Sequence, residues 1–351
     1  MTKEANYSGR PYGRSTLQTA KYFLLLWSLF FLISVGLGYP TLKRYDPRAA
    51  RGMSDTIKYY AMTTGEDQSY FRDVFRRRVL VPTVARPFYS LALRLPGTWD
   101  PGFFALLVAN SIFCAITACL IVSIGTKLFG DLSLSLLGAS LYLLSFAVPN
   151  LLLAGLVDAG EACFIALLLW ALQNGRWFLL PILGVFGAMA KETFVPFSAV
   201  LAFTWWLIER RSDSPSAGNR RQLIFIVSMA ILGMVTVMLV HSQVMGVFAW
   251  PWEMARTARA DGNYLKAIMR VFSQSNFWYV FGWLLPLGIW RLGSFPRKWV
   301  MATAFAAATA ILLGAFINAG GSVGRSVFSI SGPLLSLSVA LLFSRPAHVG
   351  H

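Results

Sequence analysis

The chain has 351 residues, 56% hydrophobic and only 13% charged, and its 31 Lys and Arg against 15 Asp and Glu give a formal charge of +16. A soluble domain carries about 25% charged residues, so this chain lacks the polar surface to cover a core of its implied size in water, and a bilayer is the expected solvent. The same apolar bulk turns the positive balance away from nucleic acid and toward anionic lipid headgroups or phosphates.

A helix needs about 20 apolar residues to cross about 30 Å of hydrocarbon. The first such stretch, Tyr22–Gly38, follows the basic residues Lys3, Arg10, Arg14 and Lys21. Its apolar run is long, follows about 20 mostly polar residues and ends in Gly38-Tyr39-Pro40, so it reads as a retained helix and not as a signal peptide. The polar segment 39–102 comes next as a long first loop. Within it, Ser54 is placed to cap a short helix running to Met62, with Gly65 as its stop. Asp55 and Tyr59 then share a face at i,i+4. Asp55 reads either as a functional carboxylate or as an acid that complements the helix dipole. Asp46, before Pro47, also suits a turn. Arg76-Arg77-Arg78 runs into the apolar segment Val79–Leu95, which holds Pro82, Arg86 and Pro87 and is expected to lie at the interface without spanning. Such arginines either grip a lipid phosphate with their bidentate forks or adhere to anionic headgroups at large.

Further spans are expected at Phe103–Ile124, Leu132–Val148, Leu156–Leu172, Trp177–Ala190, Phe194–Ile208, Leu223–Phe248, Asn276–Trp290, Val300–Ile317 and Val327–Phe343, about ten in all. The two between Trp177 and Ile208 are short enough for half-helices or a re-entrant hairpin. Basic loops mark the cytoplasmic side. The loop 209–222 carries Arg210, Arg211, Arg220 and Arg221, and Arg291, Arg297 and Lys298 mark another. With these and the N-terminus inside, both termini are cytoplasmic and the loop 39–102 is extracytoplasmic. Residues 1–351 form one integral membrane domain, with no repeat and no second-domain linker.

On this topology the ionisable residues near the membrane converge on the outer side: Asp46, Asp55, Asp158, Glu161, Lys191, Glu192 and Arg325. Charged groups at membrane depth are expensive and usually mark a functional cavity. Each has a plainer role too, since acids stabilise helix N-termini, Lys191 and Glu192 can neutralise each other, and Arg325 can snorkel. Cys114, Cys119 and Cys163 lie in apolar runs and the histidines are His241, His348 and His351, so no disulfide framework and no zinc site is expected. Gly320, Ser322 and Gly324 match G-x-S-x-G, but an all-helical chain without a histidine partner does not make the strand–turn–helix that motif needs. Trp250, Trp252 and Trp278 suit interfacial belts.

These residues resemble the polytopic GT-C class of glycosyltransferases, which draw a sugar from a polyprenyl-phosphate carrier. The resemblance rests on an acid before tyrosines in a long first outer loop (Asp55, Tyr59, Tyr60) and an Arg-x-Leu-x-Pro stretch (Arg78, Leu80, Pro82). It rests also on an Ala-x-x-Lys-Glu-Thr turn (Ala188, Lys191, Glu192, Thr193) and a late arginine, Arg325. It implies an all-α, GT-C-like membrane protein that moves a sugar from a polyprenyl-phosphate-linked donor to an acceptor hydroxyl. Asp55, or Asp46 in its place, would be the general base; Arg78, Arg86, Lys191 and Arg325 would hold the donor phosphate. Tyr59, Asp158, Glu161 and Glu192 would bind substrate or orient those cations. Some members use a divalent cation, but no metal ligands are assigned here. The compact chain suits a bacterial inner membrane. A transporter or flippase for a lipid-linked or anionic substrate is the competing expectation, with binding groups near the midplane and paired halves; a non-catalytic assembly subunit is the third.

Overall fold

The computed structural model describes residues 16–44, 55–66, 73–95, 97, 99–211, 219–250, 253, 264–317 and 322–344. Asp46, Ser54, Trp252, the basic N-terminal residues before Thr16, Gly320 and the two C-terminal histidines lie outside them. The described residues form helices and no strand. Among the described residues, five helices are long and apolar enough to cross a membrane.

In chain order the helices are α1 (Thr16–Gly38), α2 (Thr41–Arg44), α3 (Thr56–Thr64), α4 (Asp73–Arg76), α5 (Leu80–Ala92), α6 (Pro101–Phe129), α7 (Leu132–Leu143) and α8 (Asp158–Gln173). They continue as α9 (Leu180–Ala190), α10 (Phe194–Arg210), α11 (Arg220–Met245), α12 (Tyr264–Ser273), α13 (Ser275–Tyr279), α14 (Leu284–Arg291), α15 (Arg297–Phe316) and α16 (Ser322–Ala340). Local chemistry sets several ends. Asp100 accepts from the Gly102 and Phe103 amides at 2.9 and 3.0 Å, with Pro101 in the first helical position of α6. Asp131 caps α7 in the same way. Gly65 ends α3 at φ +83°, a left-handed conformation that favours glycine.

Helix α6 is the centre of the bundle: 89% of its most apolar window is buried, against 17% for α11 and 22% for α1. The exposed faces of α1 and α11 carry Leu24, Leu25, Ile224, Ile231 and Leu239. Such faces suit hydrocarbon and not water.

Two expected spans are interrupted. Leu132–Val148 becomes α7, a turn, and a short π-helix at Val148–Leu152, where Pro149 has no amide to continue an α-helical ladder. Asn276–Trp290 splits into α13 and α14 around Gly282, at φ +51°. The segment Val79–Leu95 is the amphipathic α5, whose 13 residues rise about 20 Å, too little to cross.

Polar contacts give the bundle two distinct ends. At one, Lys127 of α6 donates to Gln173 O and Asn174 Oδ1 beyond α8, and Lys298 of α15 pairs with Glu209 of α10 at 2.6 Å. At the other, Tyr60 donates to Asp100 at 3.1 Å, Thr56 to Ala154 O at 3.0 Å and Arg76 to Val244 O at 3.1 Å. These last contacts pin α3 and α4 across the ends of α6, the π-turn and α11.

Candidate functional site

At the end of the bundle that carries α3 and α4, six charged side chains from separate parts of the chain join in one network, and an Arg78–Glu192 pair stands beside it. Lys191, in the turn between α9 and α10, donates to Asp158 Oδ1 at 2.7 Å, Glu161 Oε2 at 2.8 Å and Ser326 Oγ at 3.0 Å. Asp158 and Glu161 face it together because they are i,i+3 on the first turn of α8. Thr193 donates to the other Glu161 oxygen at 2.5 Å. Arg325, one turn into α16, reaches Asp158 Oδ2 at 3.1 Å and Asp55 Oδ2 at 3.4 Å. The second Asp55 oxygen accepts from Lys58 at 3.0 Å. Beside them, Arg78 grips Glu192 with both arms of its fork, at 2.7 and 3.0 Å, and donates to the Tyr59 hydroxyl at 3.0 Å. Lys58 lies 3.4 Å from the centre of the Phe75 ring.

The four carboxylates Asp55, Asp158, Glu161 and Glu192 thus meet the four cations Lys58, Arg78, Lys191 and Arg325, and their formal charges cancel. The network has a buried floor and a more open rim. Side chains of Lys191, Asp158 and Glu161 are 4%, 4% and 0% exposed, whereas Lys58 and Asp55 are 18% and 23% exposed. The floor is also recessed. Ala188 and Val195, flanking the Lys191 turn, cluster with Val237 of α11. Met245, the end of that helix, is eight residues further on, or about 12 Å.

Burial and charge act in opposite directions on the Glu192 carboxyl. Burial pushes it up, but the Arg78 ion pair and hydrogen bonds prevail and hold it at about 2. Arg78 accordingly stays firmly charged despite its own burial. Burial pushes the Tyr59 phenol well above its usual range, so it remains a neutral hydroxyl. Among the described residues, no three His, Cys, Asp or Glu side chains are grouped so as to hold a metal ion.

Of the residues singled out from sequence, Asp55, Tyr59, Arg78, Asp158, Glu161, Lys191, Glu192 and Arg325 come together. Arg86 does not: its guanidinium donates twice to Met62 O, at 3.3 and 3.1 Å, tying α5 to the end of α3. Lys58, Ser326 and Phe75 join without having been anticipated. Lys58 was within reach of the sequence, at i,i+3 from Asp55; Phe75 left no such signal. Compared with protein-family models and with curated proteins, the chain matches none.

Proposed function

We propose that the protein is an integral membrane glycosyltransferase of GT-C type, moving a sugar from a polyprenyl-phosphate carrier to an acceptor hydroxyl on the extracytoplasmic face. The observation that carries this reading is the network itself. A partly accessible carboxylate, Asp55, stands beside the cations Lys58 and Arg325 at one end of an apolar bundle. Transfer from a phosphate-linked sugar needs both parts: a base for the acceptor hydroxyl and cations for the departing phosphate.

Asp55 is the base in this scheme. Arg325 and Arg78 face the phosphate, while Glu192 and Tyr59 hold Arg78 in place. Lys191, Asp158 and Glu161 form the floor that positions Arg325. Arg86 serves as a clamp between helices.

Counting the short helices and the α13–α14 pair as crossings gives ten, with both termini on one side. The end opposite the network carries Arg210, Arg211, Arg220, Arg221, Arg291, Arg297 and Lys298. The cytoplasmic bias of basic residues is counted in short loops, so these mark the inner end, whereas the segment 39–102, with eleven basic residues of its own, is too long to count; a bacterial inner membrane is the setting proposed. The network gathers the first turns of α8 and α16 and the turn between α9 and α10 beneath a partly exposed rim, and this favours transfer near a surface over alternating access between paired halves.

The test is sugar transfer in membranes supplied with labelled polyprenyl-phosphate sugars. Asp55→Asn should lower transfer by about 10²–10⁴-fold, the usual loss of a general base, at unchanged expression and thermal stability. Full transfer by this variant would remove Asp55 from the chemistry.

A further inference from the structure

An inventory of donors separates the cations of the network. Lys191 has three N–H groups and three acceptors within 3.0 Å, so it is saturated and buried. It has no donor left for an incoming anion, contrary to its expected role as a phosphate ligand. Among the described residues, Lys58 uses one of its three N–H groups on a side-chain acceptor, Asp55. Arg325 uses two of five and Arg78 three of five, counted among the described residues. The unused donors therefore lie on the partly exposed rim.

Asp55, meanwhile, is engaged. Lys58 holds one oxygen at 3.0 Å and Arg325 approaches the other at 3.4 Å. Both of its oxygens therefore already have a cationic partner, and an acceptor hydroxyl would have to compete with a cation for them. The Arg325 contact is long for a charge-assisted hydrogen bond, so Lys58 is the tighter partner.

The geometry points to Lys58 as an exchangeable cation: on arrival of a phosphoryl group its ammonium turns from Asp55 to the phosphoryl oxygens, shared with Arg325, and Asp55 is released to act as base. This deepens the glycosyltransferase reading and rests on it for the role of Asp55. Phe75 supplies the pivot, since an ammonium 3.4 Å from the ring centre keeps its cation–π attraction while its hydrogen-bond partner changes. Binding of the anion and exposure of the base are then one event, so the base is free only when a donor is present.

The test uses the full chain in neutral detergent, titrated with dodecyl phosphate and, separately, with inorganic phosphate, and followed by tryptophan fluorescence and the thermal midpoint. The expected result is saturable binding that Lys58→Gln weakens by about tenfold, the loss of one charged hydrogen bond, and that Lys58→Arg restores. Asp55→Asn should bind the anion more tightly than wild type, because the competing carboxylate is gone. A purely structural role for Asp55 gives the opposite sign. Tighter binding of dodecyl phosphate than of inorganic phosphate supports the site with a lipid-borne ligand, and equal binding supports it with a free one. No binding of either, binding indifferent to Lys58→Gln, or weaker binding by Asp55→Asn overturns the inference. Anion binding that behaves as described without sugar transfer would sink the glycosyltransferase reading alone. Transfer that depends on Asp55 without anion binding through Lys58 would sink the exchange alone.

Discussion

The floor and the rim of the network use the same residue types for different ends. On the floor, Lys191 is enclosed by Asp158, Glu161 and Ser326, and every donor has an acceptor. On the rim, Asp55 and Lys58 are partly exposed, and among the described residues Lys58 spends one of its three donors on a side-chain acceptor. Burying charges is expensive even when they are paired, whereas breaking a buried pair strands a charge. A saturated, buried cluster therefore fixes geometry, and an unsaturated, accessible one can exchange partners. The comparison explains how a short turn, Lys191–Thr193, ties α8 to the start of α16, while the chemistry is assigned to residues one layer above.

The largest expected effect breaks the floor. Lys191→Met leaves Asp158 and Glu161 buried without their shared cation and should destabilise the protein by about 3–5 kcal/mol, read from thermal unfolding in detergent. Replacing Lys191, Asp158 and Glu161 together by apolar residues of similar size should recover much of that stability without restoring transfer. A single Lys191→Met variant as stable as wild type would show that floor and rim are not distinct.

A smaller effect is expected at the joint between them. Arg78→Lys keeps the charge but loses the two-armed grip on Glu192 and the reach to Tyr59. It should weaken stability by about 1–3 kcal/mol and raise the donor KM more than it lowers kcat. The pH dependence of this joint follows from Glu192, whose carboxyl lies at about 2 in the folded protein against an ordinary 4.5. Its contribution is fully present above the ordinary value and is lost as the pH falls through about 2, so the neutral range should leave it unchanged. The smallest effect belongs outside the network. Arg86→Gln should cost about 1 kcal/mol of stability and leave transfer kinetics as they are; a large rise in donor KM would return Arg86 to the site.

Much of the site was legible because topology alone brings helix starts and turns to one side. The first turn of α8, the turn after α9 and the start of α16 must share an end if the intervening apolar stretches run antiparallel. What topology does not give is which face of a short helix docks. Thr56 fixes α3 by its bond to Ala154 O, 98 residues away in sequence, and this holds Asp55 within reach of Arg325. Arg86 was drawn toward the site by its charge and proximity in sequence, yet its position on α5 carries it to Met62 O instead. The interrupted spans were hidden for a similar reason. Hydropathy reads apolar content, and it passes over Gly282 inside Asn276–Trp290 and Pro149 just beyond Val148, where the helical ladders change.

The central claim, that the network end faces outward, is tested most directly by cysteine accessibility in intact cells. Cys114, Cys119 and Cys163 are buried and can be replaced by alanine to give a silent background. Single cysteines are then placed at Glu66, exposed beside the network end, and at Arg211, exposed at the other. The account predicts that an impermeant maleimide labels the Glu66→Cys protein in intact cells and the Arg211→Cys protein only after permeabilisation. Labelling of Arg211→Cys in intact cells with Glu66→Cys protected would place the network in the cytoplasm and contradict transfer at the outer face.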